Sequence, residues 1–517
     1  MMPGPGGGGP PHAFGLEVVQ NRYRSTSDTG MAVVLRVTAR SAAAAVATPA
    51  PTSAAVVVLV DCSSSMGYPP AKMTAAKQAT RAAIDSIRDG SSFAIVAGTD
   101  TTRMVYPERA TMAVAGDSAR AAAKQATGHL YDGGGTAMGG WLRLADQLLA
   151  PYPQSVRHVV LLTDGRNEHE TPEYLEEVLT SCAGNFVCDA RGIGEDWDHR
   201  QLLRITSVLR GTAEAIGHVD DLAADFRSIM DRAMGKRVPD LRIRLTTAPG
   251  VRLRSLRQET PTLADLTEHA TVLDERTSEF YTGSWTGEES RDFLVDLAIG
   301  HRYDGDRPPL DEDLRAARVD LLTAGERCAD PKPILLRWTD DPVAPTRIEP
   351  LVARHLGQEE LGEAVAAGCD ALEAGDREAA ETQFGLAVGL AERLGDTEIL
   401  HRLAGLVHIT GDSDHPVRLR DDWTRSALLR AAMSSVMAGS GAQWDARQPR
   451  PEPPKRTGPD QVCPCGRISP PTALACESCQ RPFDGTGSGD GTGSGDGTGS
   501  GNGTASGNGT GSGEGAA

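Results

Sequence analysis

The stretch Asp61-Cys62-Ser63-Ser64-Ser65 follows an aliphatic run, Ala54 to Val60, and puts a carboxylate and two hydroxyls at alternate positions. Oxygen donors spaced this way in a tight loop can converge on one hard cation, which takes oxygen ligands. No His or Lys stands nearby as a base. The run itself reads as a buried parallel strand whose C-terminal end meets solvent, where open α/β sheets carry their sites. Two other stretches end the same way. "YDGGGTAMGGWL" sets Thr136 in a Gly-rich loop before a helix, and "HVVLLTDGRNE" closes a second apolar run with Asp164 and Gly165.

Other chemistries lack their parts. Asp61 has the position of an acyl-phosphate nucleophile, but the second acid expected two residues on is Ser63. Cys62 has no neighbouring His, and neither His-Glu-x-x-His nor Gly-x-Ser-x-Gly occurs. Gly133 to Gly135 lack the following Gly-Lys of a phosphate cradle, and His169 reads as a surface residue. A Ser-rich loop after a strand also serves to cap the next helix. A binding module, not an enzyme, is the expectation, with a metal-dependent, phosphatase-like hydrolase using Asp61 as the alternative.

The elements around these residues alternate. Strands are expected at 54–60, 93–98, near 104, 158–163, 187–193 and 212–216. Helices are expected at 73–89, 118–127, 138–149, 172–182, 199–208 and 222–234. Such alternation predicts an α/β fold, a doubly wound and mostly parallel sheet, over residues 53–234. Before it, 14–48 carries a hairpin signal followed by an Ala/Pro/Thr-rich linker. After it, period-two patterns such as "LRIRLTT" predict a β-sandwich domain at 238–345. The two flanks are candidates for one sandwich with the α/β domain inserted. Residues 352–440 read as helical, and Gly375 to Phe384 is similar to a single tetratricopeptide-type hairpin, or an ordinary helical hairpin.

In that setting the three loop pieces together resemble the metal-ion-dependent adhesion site of a von Willebrand factor type A domain, in the family's order, and the whole resembles bacterial, actinobacterial-like members. "GIGEDWD", Gly192 to Asp198, is similar to the family's later strand-to-helix turn. The resemblance implies Mg²⁺ or Mn²⁺ bound by the hydroxyls of Ser63, Ser65 and Thr136, with Asp61 and Asp164 holding the shell directly or through water. Neutral hydroxyls leave such an ion short of negative charge. The resemblance implies that a partner protein's Asp or Glu carboxylate completes it.

The chain has 517 residues and a formal charge of −18. That balance argues against nucleic acid as a partner, because phosphate backbones are held by clustered Lys and Arg. No run of about eighteen apolar residues predicts a membrane span, and "MMPGPGGGGPPHAFG" does not read as a signal peptide. Nine cysteines, an odd count, argue against a disulfide framework; the expected location is cytoplasmic. Cys62, Cys182, Cys188, Cys328 and Cys369 read as small buried hydrophobes. Cys463, Cys465, Cys476 and Cys479 form two thiol pairs that match tetrahedral, structural Zn²⁺. The segment 462–483 resembles a zinc ribbon, although its first pair is separated by one residue instead of two. A Gly/Ser/Thr tail, 484–517, has no apolar position and predicts a disordered tether.

Overall fold

The computed structural model describes residues 14–39, 53–300, 308–410 and 417–436, and the backbone of 461–462 and 468–469. The chain divides into two units, Met1–Gly441 and Ala442–Ala517.

The first unit starts with an antiparallel pair, β1 (Phe14–Val19) and β2 (Gly30–Ala39). The α/β domain then runs β3 (Ala54–Asp61), α1 (Ala71–Ser86), β4 (Ser92–Gly98), β5 (Thr102–Tyr106), α2 (Asp117–Thr127), α3 (Met138–Leu149), β6 (Val156–Thr163), α4 (Pro172–Cys182), β7 (Val187–Ile193), α5 (His199–Val208), β8 (Ala213–Ile216) and α6 (Leu222–Gly235). Its sheet has the order β8-β7-β6-β3-β4-β5, parallel except for β5 and the two-residue strand Ala113–Val114, both of which run antiparallel to β4. The chain moves from β3 toward β5 on one side and from β6 toward β8 on the other. Crevices form where a doubly wound sheet reverses direction; here that place lies beyond the ends of β3 and β6, at Asp61 and Asp164.

Every residue of β3 is buried, and its side chains alternate between two cores, as strand geometry requires. Val56, Val58 and Val60 face α1 and α6. Ala55, Val57 and Leu59 face α3, α4 and α5, and Trp141 and Trp197 fill that side. Burial on both faces explains the unbroken aliphatic run.

Beyond α6 the chain forms β9 (Leu241–Thr247), β10 (Val251–Gln258), β11 (Thr277–Tyr281), β12 (Ser290–Ile299), β13 (Leu314–Thr323) and β14 (Lys332–Trp338). One sheet has the order β1-β2-β12-β10 and ends on the short strand Ala264–Asp265. The other runs from Thr271–Asp274 through β11, β9, β13 and β14 to Tyr23–Arg24. Both contribute to one core around Trp285 and Trp338. The residues before the α/β domain therefore pair inside this sandwich, and the α/β domain is an insert between β2 and β9. The hairpin Thr271–Asp274 with β11 has a wholly exposed outer strand. It lacks the apolar alternation by which the longer strands are recognised.

The helical region comprises α7 (Pro350–Glu373), α8 (Arg377–Leu394), α9 (Thr397–Leu403) and α10 (Arg425–Ser434). The α7–α8 turn uses Gly375 at φ +78°, and Asp376 caps α8 by accepting from Ala379 N. Between α9 and α10 the expected helix is replaced by an antiparallel ribbon, Val407–Ile409 with Val417–Leu419; its β-branched residues favour extended backbone. Leu429 and Met433 of α10 join the core beside α5. In the second unit, Gln461–Val462 pairs antiparallel with Ile468–Ser469.

Candidate metal centre

The loop after β3 begins with Asp61, whose side chain is buried and doubly held. Its Oδ1 accepts from Ser63 N at 2.7 Å, and its Oδ2 accepts from the Thr163 hydroxyl at 2.6 Å. A short 3₁₀ turn, Ser64–Gly67, then carries Ser65 back over Ser63, and their hydroxyls lie 2.9 Å apart. The Ser65 hydroxyl donates to Asp164 Oδ1 at 2.7 Å. Thr136 arrives from the Gly-rich loop, which is clasped to the first by Ser64 N donating to Gly134 O and Gly133 N to Cys62 O. Gly134 turns at φ +85°, a region closed to most side chains.

Gly165 shows how closely these groups converge. A Cβ placed there would lie 3.0 Å from Thr136 Oγ1, 3.4 Å from Ser65 Oγ and 3.8 Å from Asp61 Oδ2. All five residues expected from sequence, Asp61, Ser63, Ser65, Thr136 and Asp164, are thus gathered at the ends of β3 and β6. The donor set is oxygen only, two carboxylates and three hydroxyls, which fits a hard divalent cation.

Burial pushes the Asp61 carboxyl up from 3.8 to about 6, against the hydrogen bonds from Ser63 and Thr163 and with a smaller contribution from the Asp164 charge. Cys62 points into the core, and burial, reinforced by Asp61, pushes its thiol up to about 12; it is inert at neutral pH.

Three residues after Asp164 position Thr136 and the helix that follows it. His169 is exposed, yet its Nδ1 accepts from Thr136 N at 3.1 Å, its own N donates to Thr136 O, and its ring covers Gly135. Asn167 accepts from Met138 N at 2.7 Å, and Glu170 accepts from Gly139 N and Gly140 N. These acceptors satisfy the free N–H groups at the start of α3. The run Asn167 to Glu170 was the sequence signal, since polar side chains behind an aspartate at a strand end have loops to tie.

Sequence proximity also hid a cation. Lys72, in the first turn of α1, is buried, and its Nζ donates to Asp164 Oδ2 at 2.8 Å. Asp196 lies 3.9 Å from the same ammonium. The expectation that no Lys stands near the site fails because α1 folds back over the loop it follows. At the rim, Tyr68 and Tyr131 are 82% and 65% exposed, large apolar surfaces beside the two ligand loops. The Arg103 guanidinium lies over the Tyr131 ring.

A second cluster, His199 with Asp370 and Glu373, joins α5 to α7. Arg200 pairs with both acids and Arg425 with Glu373, so the carboxylates are already neutralised. Burial lowers the His199 pKa, and the cluster reads as an ion-pair clasp between the two regions. Cys463, Cys465, Cys476 and Cys479 lie outside the described residues. The five described cysteines are free and buried.

A family model described as von Willebrand factor type A domain matches residues 54–215. A solved von Willebrand factor type A protein from Catenulispora acidiphila is 34% identical, superposes with a TM-score of 0.76, and the match covers 83% of this chain and 97% of that one. The chain belongs to the von Willebrand factor type A family. The ArnB paralog VWA2 from Sulfolobus acidocaldarius, 12% identical with a TM-score of 0.51, shares the fold over 82% of this chain and 98% of its own. An uncharacterized protein of Synechocystis sp. is 25% identical over 217 residues, 41% of this chain. The match spans about half the length of that curated relative, 49%. Among the described residues no helix is long and apolar enough to cross a membrane.

Proposed function

We propose that this protein docks a protein partner through a divalent cation, Mg²⁺ or Mn²⁺, held by Ser63, Ser65 and Thr136 with Asp61 and Asp164. The observation that carries this reading is the convergence of Thr136, Ser65 and Asp61 oxygens around Gly165. When bound, the ion supplies a Lewis-acidic point that a partner's Asp or Glu carboxylate completes. The chain's own residues do the rest. Thr163 and Ser63 N fix the Asp61 carboxylate, His169 fixes Thr136, and Tyr68 and Tyr131 offer apolar contact around the central charge. Aromatic residues beside a polar anchor are favoured at binding surfaces.

A non-enzymatic role is favoured over hydrolysis because both Asp61 oxygens accept hydrogen bonds from the protein. This suits a fixed acid better than an attacking one. The formal charge of −18 disfavours nucleic acid, and five buried thiols suit a cytoplasmic, reducing setting.

Affinity capture from cell extract, with and without EDTA, tests this reading. Wild type should retain a partner only with Mg²⁺ or Mn²⁺, while Ser63→Ala and Thr136→Ala should lose at least tenfold of it and keep their circular dichroism. Equal capture in EDTA would sink the idea.

The second unit carries a separate proposal, a structural Zn²⁺ on Cys463, Cys465, Cys476 and Cys479. So short a segment draws its folding free energy mainly from the metal. Elemental analysis should find about one zinc per chain, the stoichiometry of a four-thiolate site, and none when Cys476 and Cys479 are both changed to Ser.

A further inference from the structure

The acids of the metal centre do not stand alone. Asp164 is wholly buried, and its two oxygens have different partners: Oδ1 accepts from the Ser65 hydroxyl at 2.7 Å, and Oδ2 accepts from the Lys72 ammonium at 2.8 Å. Lys72 has been given room. Gly194 sits beside its stem, where a Cβ would fall 2.9 Å from Lys72 Cε, and Gly194 holds φ +77°. Asp196, the other acid near the ammonium, is 77% exposed and 3.9 Å away, so water screens it. The buried partner of Lys72 is therefore Asp164, a residue of the proposed centre.

Formal charge shows what this pairing does. Among the buried groups, Asp61 and Asp164 contribute two negative charges and Lys72 returns one positive charge, leaving one buried negative charge; Asp132 beside Gly67 and Asp100 beside Gly134 are exposed, and water screens them. A divalent cation bound there is left with one positive charge in excess, in a site where burial makes each uncompensated charge expensive. Without Lys72 the two carboxylates alone would neutralise the ion.

We propose that Lys72 is a positioning and specificity residue of the metal centre: it keeps the bound ion one charge short, so that bare metal binds weakly and metal together with an anionic partner binds tightly. This rests on the metal-docking reading above and adds the device that makes the centre wait for a carboxylate. In linkage terms, Lys72 enlarges the factor by which a carboxylate tightens the metal, and equally the factor by which metal tightens the carboxylate. It has a second consequence in the absence of metal. Lys72 is then the counter-ion of buried Asp164, and its removal strands that charge.

The test uses the full chain, Mn²⁺ as the metal and acetate as the carboxylate. Free Mn²⁺ is followed by electron paramagnetic resonance in wild type, Lys72→Met and Lys72→Gln; the Gln variant retains a hydrogen-bond donor for Asp164 but no charge. Both variants should bind Mn²⁺ at least tenfold more tightly than wild type without acetate. Acetate should then tighten Mn²⁺ less in the variants than in wild type. In EDTA both variants should melt several degrees below wild type, and Mn²⁺ should raise their melting temperatures by more than it raises that of wild type. This thermal pattern is independent of any partner.

A folded Lys72→Gln protein with unchanged or weaker Mn²⁺ affinity overturns the proposal and leaves the metal-docking reading standing. Absence of Mn²⁺ binding in wild type and both variants removes both. Binding in the variants alone would retain Lys72 as the group that holds the ion off and would remove metal docking as the function of the native chain.

Discussion

Asp61→Asn should make the metal-free protein more stable and leave it blind to Mg²⁺. Burial raises the Asp61 carboxyl from 3.8 to about 6. At about 1.4 kcal/mol per pH unit, keeping it ionised in the folded state costs about 3 kcal/mol at neutral pH. An amide carries no charge to desolvate. Its oxygen can accept from Ser63 N as Asp61 Oδ1 does now. Its nitrogen can donate to Thr163 Oγ1, whose hydroxyl already has Gly165 O within 3.3 Å as an alternative acceptor. The second amide hydrogen has no acceptor among the groups that now bond the Asp61 carboxylate, and leaving it poorly paired returns part of the gain. A net stabilisation of about 1–2 kcal/mol is expected.

The pH dependence fixes the cause. The folded-state value of Asp61 lies above its unfolded value, so between about pH 4 and 6 the folded protein binds more protons. The wild type's deficit is present in full above pH 6 and disappears as pH falls through 6 toward 4. Urea melts in EDTA should place Asp61→Asn above wild type at pH 8, with the gap closed near pH 4. Added Mg²⁺ should raise the wild-type midpoint at pH 8 and leave the variant unmoved, because the ion needs the carboxylate. A gap that does not change with pH would mean that the stabilisation has another origin. A variant that still answers to Mg²⁺ would remove Asp61 from the centre.

The candidate metal centre was legible in the sequence to the extent that its parts sit at strand ends. Asp61 and Asp164 each terminate an aliphatic run, and buried parallel strands advertise themselves by such runs. Thr136 was legible from the Gly-rich loop before α3. The groups that orient these residues were not. Lys72 lies eleven positions after Asp61 and His169 five after Asp164, on an ordinary amphipathic helix and in a polar loop; what they touch is decided by how α1 and the 165–170 loop return over the sheet. Periodicity reports which face of an element is buried, and it is silent on which polar group a buried Lys meets. The same limit applies to Glu259. Burial pushes its carboxyl up to about 8 in the junction between the sandwich and α7, where His355 Nε2 lies 3.0 Å from Asp292 Oδ2. All three residues come from segments far apart in the chain. Among the strands, the continuous apolar runs of the α/β sheet were found to within two residues of their ends, while the exposed strand Thr271–Asp274 and the ribbon of Val407–Ile409 with Val417–Leu419 are too short to show a period.

Removing the residues before the α/β domain should unfold a domain that lies mostly after it. β2 is an interior strand of its sheet, paired with β1 on one side and with β12 along nine residues on the other, Ser290 opposite Thr38 through Ala298 opposite Gly30. It buries Met31, Val33, Val34, Leu35 and Val37, each at most 2% exposed. Phe14 of β1 packs edge-on against Trp285, with ring centroids 5.7 Å apart. At about 1.5–3 kcal/mol per buried side chain, β2 alone contributes roughly 8–15 kcal/mol, as much as the whole stability of a typical domain. A chain starting at Ser53 would also leave β12 as an apolar sheet edge, a template for aggregation. The α/β domain draws its two main cores from β3 to α6, together with Leu429 and Met433, and takes nothing from β1 or β2. Hydrogen exchange on the truncated chain should therefore show protection lost over 241–338 and retained over 54–234. Unchanged protection over 290–299 would mean that the sandwich closes without its N-terminal strands, and that the α/β domain follows them in the chain without being held between two halves of one fold.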